Sequence, residues 1–396
     1  MTRPDTSAVA VSEIQAMNNI EKLADPNNLM EAFNRASSGS SWKASVQKYE
    51  INLLKNIRKT QLDLLNGTYK QGEFLEFELN ERGHNRRIKA LGIADRVVQR
   101  SFCDNILIPT LQKYLVYDNG ASQKDKGVDF CRRRLDTHLR KYYRLYGNEG
   151  YFLHIDFRKF FDNIRHDDLL KAFRDKLGDD EVMAIMEEMV RSFRIDISYT
   201  DEDLMNQVFN SMEYAKIPPE KKTGERYLEK SLGIGSQISQ VAGVFFPTKI
   251  DTYCKIVRGC KYFGRYMDDI YIIHHDKAFL RSVLDGVREQ SAEIGLFINE
   301  KKTQIFKLSH GFTFLKVKYN LTDTGKIIRR PSRDNITRQR RKMRKFRKLL
   351  DEGALSREDI RGEVKSWLGS MEKLNAYRTC QNVRELYKGL FGEELN

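Results

Sequence analysis

The stretch KYFGRYMDDIYIIHH, residues 261–275, places two adjacent carboxylates inside a run of aromatic and β-branched residues. The apolar segments on either side of the pair predict a β-hairpin with Asp268 and Asp269 at its tip. Two carboxylates about 4 Å apart repel each other by roughly 4 kcal/mol at an effective dielectric constant near 20. The pair therefore indicates a positive partner at the tip, unless the two aspartates are only turn formers.

A second acidic position follows the apolar segment YFLHIDF, residues 151–157, about 110 residues upstream of the hairpin. Asp156 lies at the end of this predicted strand, where its carboxylate can face the hairpin tip and complete a set of three oxygen donors. Hard divalent cations prefer oxygen ligands. Two such ions about 3.5 to 4 Å apart stabilise the attacking and leaving oxygens of a phosphoryl transfer. We therefore predict a site for two Mg²⁺ ions, with Mn²⁺ as a substitute.

The charge of the chain indicates a polyanionic partner. The formal net charge is +14, with 69 Lys and Arg against 55 Asp and Glu. Residues 326–348 hold twelve basic residues and one acidic residue, a local excess of 12 − 1 = 11. Nucleic acid is the partner that this concentration favours. A solvated helix face is the structural alternative.

Composition excludes several other classes of protein. A hydrophobic fraction of 40% in 396 residues predicts a folded chain of one large domain or two to three subdomains. No run of 18 apolar residues and no secretory signal is found, so we expect a cytoplasmic protein without a membrane segment. Five scattered cysteines without a C-x-x-C pair support neither a disulfide framework nor a zinc site.

Alternation and helical spacing together predict an α+β fold. Strands are expected at 151–157 and 296–320, and hairpins at 72–91, with a turn at Gly83, and at 261–275. Helices are expected over the intervening segments and through the basic C-terminal 70 residues. The predicted helices include 41–72, 94–115, 127–146, a helix from about 167, one from about 238 and one ending near 294.

Seven stretches in order resemble motifs of reverse transcriptases, in the form found in the bacterial and group II intron branch. The resemblance implies a right-hand polymerase with fingers, palm and thumb. It assigns 1–75 to an N-terminal helical extension, 76–150 to fingers, 151–320 to a palm with an insertion near 195–225, and 321–396 to a basic helical thumb. The seven stretches are NRRIKALGIADRVVQR (85–100), YDNGASQKDKGVDFCRRRL (117–135), DFRKFFD (156–162), GIGSQISQ (233–240), YMDD (266–269), LFINEKKTQI (296–305) and GFTFLKVKY (311–319).

The resemblance implies which residues would hold the metal ions. Asp156 and Asp268 would ligate both ions, the carbonyl of Phe157 would be a further ligand, and Asp269 would support the cluster. One ion would activate the primer 3′-hydroxyl for attack on the α-phosphate, and the other would neutralise the leaving pyrophosphate.

The resemblance to reverse transcriptases also implies which residues would bind the incoming deoxynucleotide. Arg86 or Arg87 would hold the triphosphate, with Arg82 and Lys89 as close alternatives. Phe161 would lie beneath the sugar and exclude a 2′-hydroxyl, or else be a core residue like Phe160.

Further positions would contact the base, the pyrophosphate or the nucleic acid. Ile234, Gly235, Ser239 and Gln240 would pack against the incoming base and template, and the Ile and Gln depart from the Gln-Gly and Ser-Pro of many relatives. Lys302 would donate a proton to pyrophosphate, or be a surface lysine. Tyr266 and Met267 would lie by the primer end. Arg265 would touch a backbone phosphate or form an ion pair within its strand. The thumb residues Arg340, Arg341 and Arg344 would grip the template–primer duplex.

The activity implied is RNA-directed DNA polymerisation, with an RNA template, nascent DNA and deoxynucleotides as partners. The motif LGIGSQISQ favours a defence-associated enzyme that copies a dedicated non-coding RNA. A diversity-generating retroelement enzyme and a template-independent nucleotidyl transferase remain alternatives, as do an RNA-dependent RNA polymerase and a silent RNA-binding relative. The 195–225 segment would bind a protein partner or a second copy of the chain.

Overall fold

A computed structural model describes residues 18–81, 84–196, 218 and 227–395. The chain forms two compact units, each assembled from several segments. The first unit comprises Met1–Ser122, Phe157–Tyr253 and Gly286–Ile298, and the second comprises Gln123–Asp156, Cys254–Asp285 and Asn299–Asn396. The turn predicted at Gly83, the alternative Arg82 and most of the predicted insertion at 195–225 lie outside the described residues.

The second unit is built around a four-stranded antiparallel sheet with the strand order β6-β7-β3-β8. The buried residues of its central strands are Phe152, Leu153 and Ile155 of β3 and Ile270, Tyr271, Ile272 and Ile273 of β7, as expected where both faces of a sheet are covered. The predicted strand at 151–157 and the predicted hairpin at 261–275 are both confirmed. The four strands are β3 (Tyr151–Ile155), β6 (Tyr262–Tyr266), β7 (Asp269–His274) and β8 (Gln304–Lys307).

A helix and a second sheet cover the central sheet within this unit. The helix α7 (Val128–Tyr146) places Leu135, Leu139 and Tyr142 in one core with Phe152 and Tyr271 of the strands. A three-stranded antiparallel sheet, in the order β11-β10-β9, contributes further residues to this core. Its strands are β9 (Phe312–Phe314), β10 (Val317–Leu321) and β11 (Ile327–Pro331).

The strand β11 corrects the prediction that the chain is helical from residue 321. Residues 327–331 pair with β10 instead, and the basic helix begins only at Arg333. The apolar pair Ile327 and Ile328 favours a strand. Pro331 also disfavours helical backbone at the residue before it. The high basic content of this region hid the strand signal.

Three helices complete the second unit. They are α14 (Arg333–Asp351), α15 (Arg357–Glu372) and α16 (Tyr377–Phe391). Ser332 and Ser356 cap the first two, and both accept a hydrogen bond from the third residue of the helix. A separate apolar core, which includes Met343, Val364 and Tyr387, holds the three helices together.

The first unit is mostly helical. It contains the predicted finger hairpin, in which β1 (Leu75–Glu81) and β2 (His84–Ala90) pair antiparallel, and a short strand pair, β4 (Ile195–Asp196) with β5 (Tyr227–Leu228). The predicted 41–72 helix is divided at Asn52. The helices are α1 (Asn19–Ala24), α2 (Pro26–Ser37), α3 (Ala44–Ile51), α4 (Leu53–Leu65), α5 (Ile93–Phe102), α6 (Ile108–Leu111), α8 (Phe160–Asn163), α9 (His166–Leu177), α10 (Asp180–Arg191), α11 (Gln237–Phe245) and α12 (Thr248–Thr252); the helix α13 (Lys277–Glu293) contributes residues to both units.

Within the described ranges, none of the helices is both long enough and apolar enough to cross a membrane.

The sheet of the second unit depends on a glycine in the hairpin strand β6. Gly264 lies opposite Tyr271, and a Cβ atom added there would be 2.5 Å from the tyrosine ring. We expect Gly264→Ala to lower the free energy of unfolding by about 1 to 3 kcal/mol, because a buried ring has to move. Chemical denaturation measures this. Gly362→Ala on α15, where nothing lies within 4 Å, is the control. Equal stability of Gly264→Ala and the parent chain would contradict the packing described.

Candidate active site

The hairpin tip is a two-residue turn held in a strained conformation. Tyr266 pairs with Asp269, which leaves Met267 and Asp268 as the turn. Met267 has a φ of 53°, a left-handed conformation that costs a non-glycine residue about 1 to 3 kcal/mol. Arg265 is fully buried, and its Nη1 donates a hydrogen bond of 3.1 Å to the carbonyl oxygen of Met267. The buried guanidinium group of Arg265 therefore holds the turn in place through this hydrogen bond.

The strand register brings the three predicted acidic residues to one edge of the sheet. Ile155, the last residue of β3, pairs with Ile270 of β7, so the next residue, Asp156, continues the register towards Asp269. Asp268 precedes Asp269 in the turn. Asp156 is buried, whereas the other two are half-buried.

Asp156 is enclosed by the segment 299–303. Its Oδ1 accepts a hydrogen bond of 3.0 Å from Nδ2 of Asn299, and its Oδ2 lies 3.3 Å from Nζ of Lys302. Its backbone N–H donates to the hydroxyl of Thr303 at 3.2 Å, and its carbonyl accepts the backbone N–H of Asn299 at 2.8 Å. Sequence analysis selected Lys302 but missed Asn299 and Thr303, although both belong to the quoted stretch LFINEKKTQI.

The other two carboxylates differ in their surroundings. Oδ1 of Asp269 lies 3.0 Å from Nε2 of His154, a hydrogen bond across the strands that sequence analysis also missed. Burial raises the pKa of Asp268 to about 6, and repulsion from Asp269 and, more weakly, Asp156 adds to the rise. Lys302 opposes it. The negative charge at this edge is therefore only partly compensated by the protein.

The donor chemistry of this edge suits a hard divalent cation. Three carboxylates supply oxygen ligands, and the pKa of Asp268 is raised first by burial and then by the neighbouring carboxylates, effects that a bound cation would oppose. Over the described ranges, however, no three His, Cys, Asp or Glu side chains are already arranged as metal ligands. Asp156 and Asp269 contact Lys302 and His154 instead. Convergence of the three aspartates on two ions stays a prediction.

A basic cavity of about 160 Å³ lies in the first unit. Arg86, Arg87 and Lys89 of the hairpin line it, together with Ile234 and Asp162. Arg87 forms an ion pair of 2.6 Å with Glu76 across the hairpin, and Lys89 lies 3.6 Å from the same carboxylate. The cavity therefore brings together both predicted arginines and the alternative Lys89.

The backbone beside this cavity requires a glycine. Ile234 bridges Ile88 of the hairpin, and Gly235 then adopts a φ of 106°, which L side chains rarely adopt. Gln240 is exposed and Ile234 is partly exposed. Ser239, in contrast, is buried at 3% exposure, so its hydroxyl is not presented to a template strand.

Phe161 packs against a helix through another glycine. A Cβ atom on Gly243 of α11 would be 2.9 Å from the Phe161 ring. The carbonyl of Phe161 accepts the backbone N–H of Leu232 at 3.1 Å. Phe161 is half-buried, whereas Phe160 is a core residue at 4% exposure, as predicted. Gly243 is a site neighbour that sequence analysis missed, because a lone helical glycine carries no specific signal.

The remaining predicted contacts lie in the second unit. Arg341 and Arg344 of α14 are exposed and Arg340 is half-buried, while the same helix turns Met343 towards the core. Tyr266 is half-buried beside the turn. Arg265 donates the hydrogen bond to the Met267 carbonyl already described, and its predicted contact with a backbone phosphate stays a prediction. Its complete burial withdraws the guanidinium from solvent.

A family model described as "Reverse transcriptase (RNA-dependent DNA polymerase)" matches residues 86–319, more than half of the chain. The chain therefore belongs to the reverse transcriptase family. The matched region is a domain of the RNA-directed DNA polymerase class of nucleotidyltransferases, a class whose members generally use divalent metal ions. The predicted α+β fold of the reverse transcriptase type is confirmed.

Solved telomerase structures show a distant similarity. A telomerase from Candida tropicalis truncated from its C-terminal domain is 10% identical over 71% of this chain and 60% of that chain, with a TM-score of 0.46. The apo telomerase of the same species is 13% identical over 81% of this chain and 63% of that chain, with a TM-score of 0.42. A telomerase from Candida albicans in complex with a TWJ fragment of telomeric RNA is 11% identical over 82% of this chain and 60% of that chain, with a TM-score of 0.43. The chain thus spans 60 to 63% of these telomerase chains. No curated protein matches the sequence.

The repulsion at the sheet edge can be tested by neutralising one acidic residue. We expect Asp269→Asn to lower the pKa of Asp268 from about 6 towards its ordinary value near 3.9, without reaching it, because burial remains. Carboxyl-carbon NMR titration of metal-free protein measures this. Asp334→Asn, which removes the same charge from an exposed position, should leave the pKa of Asp268 unchanged. An equal or higher pKa in Asp269→Asn would show that Asp269 is not a cause of the shift.

Proposed function

We propose that this protein is an RNA-directed DNA polymerase that extends a primer with deoxynucleotides by phosphoryl transfer. The observation that carries the proposal is the position of Asp156, Asp268 and Asp269 at one edge of the sheet, inside the region that matches the reverse transcriptase family. The partners proposed are an RNA template, the nascent DNA and deoxynucleoside triphosphates.

Two Mg²⁺ ions, or Mn²⁺ in their place, are the proposed cofactors. Asp156 and Asp268 would hold both ions, with the carbonyl of Phe157 as a further ligand and Asp269 as the supporting carboxylate. When bound, the ions supply positive charge to the attacking 3′-hydroxyl and to the leaving pyrophosphate. On metal binding, Asp156 would give up its contact with Lys302 and Asp269 its contact with His154.

The protein's own contribution is positioning and charge stabilisation. Arg265 holds the carbonyl of Met267 and so fixes the direction in which Asp268 leaves the turn. Tyr266 and Met267 are proposed to lie by the primer end. Lys302 is proposed to give a proton to the pyrophosphate, and its position 3.3 Å from Asp156 supports a place near the reacting groups.

The basic cavity of the first unit is proposed to hold the triphosphate. Arg86 and Arg87 offer planar guanidinium groups that bind phosphate oxygens in pairs, and Lys89 adds a third cation. Ile234, Gly235 and Gln240 are proposed to pack against the base and template. Ser239 is buried and would act only as a support within the helix α11.

Phe161 is proposed to select the sugar. Its ring is half-buried and is wedged against Gly243, so it cannot retreat to make room for a 2′-hydroxyl. The basic helix α14 is proposed to grip the template–primer duplex through Arg340, Arg341 and Arg344. We retain the assignment of 76–150 to fingers, 151–320 to the palm and the helices after 331 to the thumb.

The biological role proposed is copying of a dedicated non-coding RNA in bacterial antiviral defence, in the cytoplasm. The motif LGIGSQISQ supports it. Diversity generation and template-independent synthesis are the alternatives. A protein partner or a second copy of the chain would bind near 195–225.

Asp268 distinguishes an enzyme from an RNA-binding scaffold. We expect Asp268→Asn to lower the rate of deoxynucleotide incorporation on a primed RNA template at least about a hundredfold, because several kcal/mol of charge stabilisation are removed. Single-nucleotide primer extension measures the rate, and filter binding checks that the RNA is still bound. Asp323→Asn, an exposed aspartate of the same unit, is the control. Near-parental incorporation by Asp268→Asn would refute the catalytic role.

The sugar-selecting role of Phe161 predicts a change of specificity. Phe161→Ala should lower the ratio of kcat/KM for a deoxynucleotide to that for the matching ribonucleotide at least about tenfold, because space opens for the 2′-hydroxyl. Phe160→Leu, at the neighbouring core ring, should reduce stability and leave the ratio unchanged. Unaltered rejection of ribonucleotides by Phe161→Ala would remove the role.

The duplex-gripping role of α14 predicts a change of salt dependence. The double variant Arg341→Gln, Arg344→Gln should bind an RNA–DNA duplex more weakly, and the slope of log K against log salt should fall by about one for each phosphate that an arginine no longer neutralises. Fluorescence anisotropy over a salt series measures the slope. The exposed pair Lys55 and Lys59, changed to Gln, serves as the charge control. Equal slopes in the two double variants would contradict the role of α14.

A further inference from the structure

A second and larger basic cavity, of about 450 Å³, opens in the first unit. Among the described residues that line it, the charged ones are all cationic: Arg158, Arg165 and Lys230. Phe297 also lines it and keeps 51% of its surface exposed. None of these four residues has a part in the polymerase reaction proposed above.

Backbone hydrogen bonds fix the walls of this cavity. Arg165 and Lys230 face each other in an antiparallel bridge, so their side chains leave the backbone on the same side. The backbone N–H of Arg158 donates to the carbonyl of Phe297 at 2.7 Å, and Nδ2 of Asn163 donates to the carbonyl of Arg158 at 2.8 Å. The cavity is therefore a preformed feature of the unit.

The cation from Arg165 is also held in place. Its Nη2 donates to the carbonyl of Glu293 at 2.9 Å, and its Nε pairs with Asp168. Gly295, with a φ of 73°, lies beneath this side chain, and a Cβ atom there would be 2.8 Å from Nε. A glycine is needed at this position for both its backbone conformation and its contact with the guanidinium.

Lys230 is partly withdrawn from water at the wall of the cavity. Burial lowers the pKa of Lys230, the neighbouring Asp162 opposes this effect, and Lys159 adds a smaller lowering. An anion in the cavity would favour the charged form of this lysine. Arginine forks and a lysine ammonium group are the usual protein partners of phosphate.

The aromatic ring narrows the class of anion. An exposed phenylalanine beside cations offers a stacking surface, and base stacking on such rings contributes about 1 to 3 kcal/mol per base. A cavity of about 450 Å³ lies within the range of small-ligand sites. Cations for a phosphate, an exposed ring for a base and a cavity of this volume together suit one nucleotide.

The chain also connects this cavity with the proposed triphosphate cavity. Asp162 lines the smaller cavity and the next residue, Asn163, lines the larger one. In the same way, Ser231 lines the smaller cavity and the preceding residue, Lys230, lines the larger one. The two cavities thus share two segments of wall. We propose that the larger cavity is a second nucleotide site, in which Arg158, Arg165 and Lys230 bind the phosphates and Phe297 stacks on the base.

The nucleotide can come from two sources, a free nucleoside triphosphate or one unit of a single RNA strand. The experiment uses the full-length protein without template or divalent ions, and titrates it by calorimetry with ATP in one arm and with a uridine tetranucleotide in the other. We expect at least one probe to bind. The probe that binds identifies the source.

Variants assign that binding to the cavity. Arg158→Gln with Lys230→Gln should weaken binding of the probe at least tenfold, and Phe297→Ala should weaken it at least fivefold. Phe297→Tyr should bind the probe like the parent protein, because the ring is kept. The controls are Lys171→Gln with Arg174→Gln for charge and Trp42→Ala for an exposed ring. Arg86→Gln with Arg87→Gln lacks two cations of the proposed triphosphate cavity, so the binding that remains in this variant belongs to the larger cavity. The proposal is overturned if neither probe binds, if the Arg158 and Lys230 variant binds like the parent, or if only the Arg86 and Arg87 variant fails to bind.

Discussion

Repulsion among three aspartates at one edge of a buried sheet is the constraint on which the rest of the second unit depends. The register of β3 and β7 carries Asp156 towards Asp269, and the two-residue turn adds Asp268. The cost appears in Asp268, whose pKa rises to about 6 through burial and the neighbouring charges. An isolated folded chain gains nothing from such an arrangement, because buried like charges destabilise it. The arrangement is explained if the edge has to bind positive charge.

The surrounding residues hold this unfavourable edge in place. Arg265 is buried beneath the turn and holds the carbonyl of Met267, whose left-handed backbone would otherwise relax. Asn299 and Lys302 bind the carboxylate of Asp156, and His154 binds that of Asp269. Strain of this kind is common where side chains have to be held ready for chemistry. These contacts give Asp156 and Asp269 their partners and leave Asp268 the least compensated of the three.

The strands that carry the three aspartates could be predicted from the sequence, because they depend on local patterns. Alternation around the acidic pair predicted the hairpin of β6 and β7, and an apolar run ending in Asp156 predicted β3. The burial of Arg265 could not be predicted, since arginine is rarely fully buried and sequence analysis left two partners open for it. The strand β11 was mistaken for helix because basic residues dominate its surroundings. Gly243 and His154 act through contacts distant in the chain, which local patterns do not contain.

The edge of acidic residues lies within the region that matches the reverse transcriptase family. The match covers residues 86–319, and all three aspartates lie within it. The cavity between Arg158 and Phe297 lies within it too, yet it requires no part of the polymerase reaction. Both proposed nucleotide sites therefore belong to the region that matches the family.

Anomalous diffraction from crystals of the protein grown with Mn²⁺ and a non-hydrolysable deoxynucleotide decides whether the acidic edge binds two metal ions. We expect two manganese peaks about 3.5 to 4 Å apart, with oxygen atoms of Asp156 and Asp268 within coordination distance of both. A structure in which Asp156 kept its contacts with Lys302 and Asn299, and no manganese lay at the sheet edge, would contradict this two-metal site.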